Sequence, residues 1–294
     1  MKKIGIVIVN YNGIKYNEDC INSIFNSSYK NIEIVIVDNN SKDNSIEKLK
    51  NIYSDRIIII ENNKNLGFAG ATNIGIKYCM KSGCDYLLLL NNDTVINKHM
   101  ISNMLYTSER YNGCVVSPKI YYFEPNNMIW SAGGEIKWSR GYTLQYGMKE
   151  IDKGQYDIEK RISFATGCCM LIPKNIIKAI GLISEEYFLY FEDTDYCVKI
   201  QQAGYEIYYE PKAFMYHKVS ASTGGENSPS YIYYFYRNRL YFNNKYNDNK
   251  KYYIYITFSW IKKIIIWLLK AKIDLVKSLK CAIIDYKENI NGKV

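Results

Sequence analysis

Between residues 4 and 90, four short β-rich apolar runs alternate with stretches of helical spacing, and few architectures accept that order. The runs are Ile4–Val9, Ile32–Val37, Arg56–Ile60 and Tyr86–Leu90. Each is nearly continuous in apolar residues, as a strand covered on both faces must be. Between them, Glu18–Phe25, Ser45–Tyr53 and Ala69–Lys81 read as helices, with Asp43 or Ser41 placed to cap the second. Strand, helix and strand in succession imply right-handed crossovers and a mostly parallel sheet flanked by helices, an α/β fold.

Beyond Leu90 the pattern loosens. A helix is expected over Lys98–Tyr111 and a short strand at Cys114–Ser117. Residues 118–163 mix Pro, Gly and aromatics, which predicts short antiparallel strands and loops. A strand near Cys169–Ile172, a helix after Pro173, a helix over Asp193–Ala203 stopped by Gly204, and strands at Glu206–Tyr209 and Ala213–Tyr216 follow. Ser220–Ser230 reads as a mobile Ser/Gly loop. This divides the chain into residues 1–230, with halves 1–117 and 118–230, and an aromatic, basic helical segment 231–294. In that segment Ile254, Phe258, Ile261, Ile265 and Leu268 keep helical spacing, while Lys262 and Lys263 interrupt the middle of the apolar stretch and argue against a spanning helix. The segment reads either as a helix packed on the main domain or as an interfacial helix on an anionic membrane.

Hydrophobic residues make up 48% and charged residues 23% of the 294, which excludes fibrous and wholly disordered classes. The net charge of +9 favours an anionic partner. The basic residues are dispersed and no recognition motif appears, so nucleic acid is not expected. Eight scattered cysteines without a C-x-x-C pair, and only two histidines, point to buried reduced thiols and a cytoplasmic setting, with attachment to the inner membrane face left open. The N-terminus reads as a strand, not a signal peptide.

In an open α/β sheet, ligands bind beyond the carboxyl ends of the strands. Polar residues gather there: Asn10, Tyr11 and Asn12; Asp38 to Ser41; Asn91, Asn92, Asp93 and Thr94. Asp38 suits an imino or hydroxyl donor, and Tyr11 suits stacking on a base. No G-x-G-x-x-G follows the first strand and no P-loop occurs, which weakens dehydrogenase and ATPase readings. Gly67 to Asn73 marks a loop-to-helix junction where small residues allow close approach. A carboxylate at Asp93 can reach a divalent cation that carries a diphosphate. Glu192, Asp193 and Asp195 cluster at a helix start, where the helix dipole alone would account for them, yet beside an apolar wall one can act as a general base.

Taken in order, V-N-Y-N, I-V-D-N-N-S, N-x-G-F-A-x-x-x-N, N-N-D-T, T-G-C-C-M-L-I and F-x-E-D-T-D-Y with a later Tyr-His resemble a family 2 glycosyltransferase of the GT-A nucleotide-diphospho-sugar transferase fold. The resemblance spans about residues 3–245, and its nearest branch is rhamnosyltransferase-like. It implies an inverting, metal-dependent transfer from a dTDP- or UDP-sugar, L-rhamnose among the candidates, to a glycan or lipid-linked glycan in surface polysaccharide synthesis. Asn10, Tyr11, Asp38, Gly67, Phe68, Asn73 and Asn92 would hold the donor nucleotide. Asp93 and His217 would bind Mg²⁺ or Mn²⁺, and Asp193 would be the base. Gly167, Cys168 and Trp130–Gly133 would lie near the acceptor, and Tyr236-Arg237-Asn238-Arg239 would touch phosphate or membrane. The family's D-x-D is degenerate here, which implies weak, diphosphate-dependent metal binding. A catalytically inactive sugar-nucleotide-binding protein of the same fold is the alternative.

Overall fold

The computed structural model describes residues 1–219, 228–249 and 251–293. In chain order the elements are β1 Ile4–Asn10, α1 Asn17–Phe25, β2 Ile32–Asp38, α2 Ser45–Tyr53, β3 Ile58–Glu61, α3 Gly67–Lys81, β4 Tyr86–Leu90, β5 Thr94–Ile96 and α4 Met100–Arg110. Next come β6 Val115–Tyr122, β7 Ile129–Ser131, β8 Gly134–Lys137, β9 Tyr142–Gln145, β10 Lys160–Ile162, β11 Cys169–Pro173, α5 Lys174–Ile180, α6 Glu192–Gln202 and β12 Ile207–His217. Three helices close the chain: α7 Pro229–Tyr246, α8 Lys251–Leu269 and α9 Ile273–Lys287.

The main sheet runs β10-β12-β6-β11-β4-β1-β2-β3. Strands β3, β2, β1 and β4 are mutually parallel, β11 is antiparallel between β4 and β6, and β12 is parallel to β6. The continuous apolar runs are explained by two cores. Val7, Val35, Val37, Leu87 and Leu89 point to one face, under α3, α5 and α6. Ile4, Ile6, Ile8, Ile34, Ile36, Leu88 and Leu90 point to the other, under α1, α2 and α4. The expected α/β fold with helices on both faces is the one observed.

Several boundaries differ from the sequence reading. The strand expected at 114–117 continues through Pro118 to Tyr122, and the two strands expected at 206–216 are one, β12. The two facts have one cause. The β6–β12 register shifts between Glu210 and Phe214, opposite Pro118, so the bulge falls where proline has no N–H to donate. Helix α3 begins at Gly67, not Ala69. At α2, Asp43 accepts from the Ser45 N–H and hydroxyl, whereas Ser41 turns to Asp38. The loop expected over 220–230 lies mostly outside the described residues. Its last part does not: Ser228 caps α7 by accepting from the Tyr231 N–H, with Pro229 at the first helical position. All eight cysteines are free thiols, seven of them buried.

Candidate active site

The carboxyl end of the parallel strands carries a buried polar network centred on Asn10. Its amide donates to Asp38 Oδ1 at 2.8 Å, Ser45 Oγ at 2.9 Å and Ser41 Oγ at 3.1 Å. Its carbonyl accepts from Asn17 at 2.8 Å and Asn92 at 3.3 Å, and the Asn92 amide also donates to Asn17 at 2.9 Å. Asn10 is fully buried. Its side chain therefore organises the rim and has no donor left for a ligand. Asp38 also accepts from the Ser41 N–H and hydroxyl, which leaves one oxygen, Oδ2, with spare accepting capacity. Tyr11 is 44% exposed on this rim.

Gly13 is a participant that the sequence reading missed. A Cβ there would collide with the Asn92 amide nitrogen and the Asn10 carbonyl, so only glycine lets the loop close over the network. The signal was the Asn-Tyr-Asn-Gly tetrapeptide itself, a turn sequence directly after a strand.

The Gly67–Asn73 stretch behaves differently from the expectation. Gly67 has φ +75°, and a Cβ there would strike the Phe188 carbonyl, to which the Phe68 N–H donates at 3.0 Å. The glycine thus seats α3 against the segment before α6. Asn73 is buried. Its amide donates to Ile183 O and Glu185 Oε1, both at 2.9 Å, and its carbonyl accepts from the Ile183 N–H at 3.0 Å. Both amide hydrogens are spent on that tether, which corrects the expected nucleotide contact. The Phe68 ring instead lies against Gly167.

Asp93 and His217 meet because β5 pairs with β12 in a register that sets Thr94 opposite His217. His217 Nε2 lies 3.1 Å from Asp93 Oδ1, and both side chains are buried. Burial opposes the imidazolium, yet the Cys168 sulfur and the Asp93 carboxylate raise its pKa to about 10. The Trp130 ring packs edge-on against the imidazole at 4.6 Å. Among the described residues no group of three or more His, Cys, Asp or Glu is arranged to hold a metal. One carboxylate and one imidazole suit a hard divalent cation only when substrate phosphates and water supply its remaining ligands.

Asp193 stands in the first turn of α6. Its Oδ2 accepts from the Gly167 N–H at 3.0 Å, and its Oδ1 accepts from the Thr194 N–H at 2.7 Å and hydroxyl at 3.2 Å. Burial raises its pKa despite these donors. Neighbouring Glu192 is raised further, by burial and then by the Asp193 charge, so the negative charge of the pair resides on Asp193. Helix α6 is entered through two consecutive left-handed residues, Tyr190 at φ 68° and Phe191 at φ 74°. The Asn238 amide holds that turn by donating to Leu189 O at 2.7 Å and Tyr190 O at 3.0 Å. Asp195 points away from Asp193, into α7, accepting from Lys245 and the Tyr246 hydroxyl at 2.9 Å each.

The dipeptide Gly167–Cys168 joins the two halves of the site. Its Gly167 N–H meets Asp193, its Cys168 thiol lies beside His217, and the Cys168 carbonyl accepts from the Asn91 N–H at 2.9 Å. Tyr236-Arg237-Asn238-Arg239 lies elsewhere than expected. Arg237 and Arg239 are buried, donating to the Gly292 carbonyl and to the carbonyls of Gly141 and Arg140 respectively. Neither guanidinium is open to phosphate or lipid; the element clamps α7 to the protein.

Comparisons with known proteins bear on the family and the fold. A 28% identical relative over 207 residues is the low-salt glycan biosynthesis hexosyltransferase Agl10 of Haloferax volcanii, covering 69% of this chain and 63% of the relative. The dTDP-rhamnosyl transferase RfbF of Shigella flexneri is 25% identical over 222 residues, covering 72% and 68%. The chain thus spans about two thirds of the length of these relatives. Among solved structures, GalNAc-T7 with UDP, GalNAc and Mn²⁺ superposes with a TM-score of 0.68 at 16% identity, covering 86% of this chain and 50% of the other. S. aureus TarS 1–349 in complex with UDP gives 0.54 at 17%, covering 85% and 67%. At such identities these superpositions establish the GT-A-like fold. The profile of Glycosyl transferase family 2 matches residues 5–181, more than half of the sequence, and the chain belongs to that family.

Proposed function

We propose that the chain is an inverting glycosyltransferase that moves a sugar from a nucleoside-diphosphate donor to a hydroxyl of a glycan or lipid-linked glycan. The observation that carries this reading is the Gly167–Cys168 bridge, which sets a carboxylate of raised pKa on one side and the Asp93–His217 pair on the other. In one displacement Asp193 accepts the proton of the acceptor hydroxyl as its oxygen attacks the anomeric carbon, and the bond from that carbon to the diphosphate oxygen breaks. A base whose pKa is raised by burial is better matched to an alcohol proton than an ordinary carboxylate. Glu192, kept neutral, adds no competing charge. Asp93 and His217 would hold Mg²⁺ or Mn²⁺ together with the diphosphate; such a cation neutralises charge developing on the leaving group. Tyr11 and the free accepting position of Asp38 face the donor nucleotide. The relatives' names make dTDP- and UDP-sugars the donors to offer, with L-rhamnose and surface polysaccharide synthesis as the specific reading. Residues 1–230 would carry the transfer, with donor and acceptor halves meeting near residue 117.

The test is release of nucleoside diphosphate from a panel of dTDP- and UDP-sugars with Mn²⁺ and no acceptor. One donor is expected to be hydrolysed slowly. With an acceptor found, Asp193→Asn is expected to lower turnover by about 10²–10⁴-fold while donor affinity stays within a few fold. Wild-type turnover in that variant would remove Asp193 as the base, and the absence of any thermal shift on adding the nucleotides would refute the donor pocket.

A further inference from the structure

Helix α8 has two faces, and the one that looks most like a core face points outward. Tyr252, Ile256 and Trp267 are its buried residues, and Trp267 packs in a cluster with residues of α7 and α9; Trp260 meets the Tyr236 ring, and Lys263 lies over the rings of Tyr236 and Trp267. On the opposite side Ile254, Phe258, Ile261, Ile265, Leu268 and Leu269 form a continuous stripe, with Phe258 70% exposed. Isolated apolar side chains are ordinary on a protein surface, but a stripe of six along about four turns is not.

We propose that this face of α8 lies on an anionic lipid surface, with the helix in the plane of the interface. Charge selects that occupant. From residue 249 to residue 273 the sequence holds six lysines and no acidic residue. Lys251, Lys262, Lys270 and Lys272 are all exposed. At 100° per residue, Lys251 and Lys262 fall within about 40° of Phe258, on the apolar face itself. A lysine there buries its stem among lipid tails and lifts its ammonium to the phosphates. An isologous pairing of two copies along the stripe would cross near residue 260 and set their Lys262 side chains together, with no acid nearby to neutralise them. By length and hydropathy alone α8 is also long and apolar enough to cross a bilayer. However, its midpoint carries Lys262–Lys263 and its other face is already covered by α7 and α9, so lying in the interface fits both facts. This inference is independent of the sugar chemistry proposed above.

The experiment is flotation of the full chain with phosphatidylcholine vesicles, with and without phosphatidylglycerol. Binding is expected to the anionic vesicles and to weaken as salt rises. Lys262→Glu and Lys272→Glu together are expected to reduce partitioning by at least about tenfold, each lysine near such a surface contributing about fivefold. Phe258→Ser with Ile265→Ser is expected to reduce it by about 100-fold. All four positions are exposed, so thermal stability is expected to stay unchanged. Absence of binding to anionic vesicles, or equal binding to neutral ones, overturns the proposal. So does a concentration-dependent dimer that Phe258→Ser/Ile265→Ser dissociates while vesicle binding stays as in the wild type.

Discussion

Replacing Asn238 by alanine tests whether α7 positions the base without touching it. The Asn238 amide makes two hydrogen bonds, to Leu189 O and Tyr190 O, and its carbonyl accepts from the Arg237 guanidinium at 3.1 and 3.2 Å. Two such bonds contribute about 1 kcal/mol each, and each buried carbonyl left without a donor costs about 1–3 kcal/mol. The left-handed pair Tyr190 and Phe191 stores about 1–2 kcal/mol per residue. Clamp and strain are therefore of comparable size, about 2–4 kcal/mol, so removing the clamp takes away a contribution as large as the strain, while the Tyr190 and Phe191 rings stay packed on α7. The turn should relax, and Asp193, two residues beyond Phe191, should move with it. A displacement near 1 Å costs about 10²-fold in rate. Turnover is expected to fall by that amount, with donor affinity by calorimetry unchanged within about threefold. Asn243→Ala is the control. Asn243 is equally buried on α7 but donates to Gly141 O and Arg239 O, away from the turn. It should lower the melting temperature similarly and leave kcat nearly intact. If Asn238→Ala lost only stability, in step with Asn243→Ala, the turn would stand without its clamp and the reasoning would fail.

Two further outcomes follow from the site. The Asp93 carboxylate beside His217 favours the protonated imidazole, whose pKa is raised, so a cation taking its place must expel that proton. Between pH 6.5 and 8.5, cation-supported donor binding is expected to tighten by about tenfold per pH unit, with proton release visible when calorimetry is repeated in buffers of different ionisation enthalpy. A flat pH dependence would mean that His217 does not ligate. Gly13→Ala pushes a methyl group into the Asn92 and Asn10 side chains, so it should cost about 1–3 kcal/mol by denaturant unfolding and weaken donor binding. Full stability and binding in that variant would show that the loop has another way to close.

The parallel half of the fold was legible because its signal is local: a strand buried on both faces must be apolar at every position, as Ile4–Val9 and Leu87–Leu90 are. The location of the polar rim was legible for the same reason, three of the four runs ending abruptly in Asn or Asp. What could not be read was how those residues divide the work. Asn10 looks like a ligand contact, yet its partners lie 7, 28, 31, 35 and 82 residues away and consume it entirely. Asn73 is spent on Ile183 and Glu185, over a hundred residues distant. Arg237 and Arg239 read as exposed charges until α7 is docked and carbonyls surround them. The α8 periodicity revealed a face but not its direction, since a stripe that packs and a stripe that waits for a partner have the same spacing.

The degenerate metal motif acquires a physical meaning from the Asp93–His217 contact. With His217 protonated, the pair is a carboxylate beside an imidazolium, and its net charge is zero before any ligand arrives. A neutral pair offers little attraction to a free divalent cation, and one carboxylate cannot replace the hydration shell. A nucleoside diphosphate changes that balance by bringing two or more negative charges and phosphate oxygens at once. Cation and donor should therefore enter together, with the imidazole proton leaving as they do. The rest of the chain's positive excess, +9 overall, then attracts the donor and not the metal. On this argument a second acid at Asn91 would strengthen cation binding without donor, yet it would also oppose the diphosphate on arrival. Asn91→Asp is thus expected to raise Mn²⁺ affinity in the absence of nucleotide, while the affinity for the donor at saturating Mn²⁺ rises little or falls. A large gain in both would show that the site is limited by its ligand count, and the neutral-pair argument would be wrong.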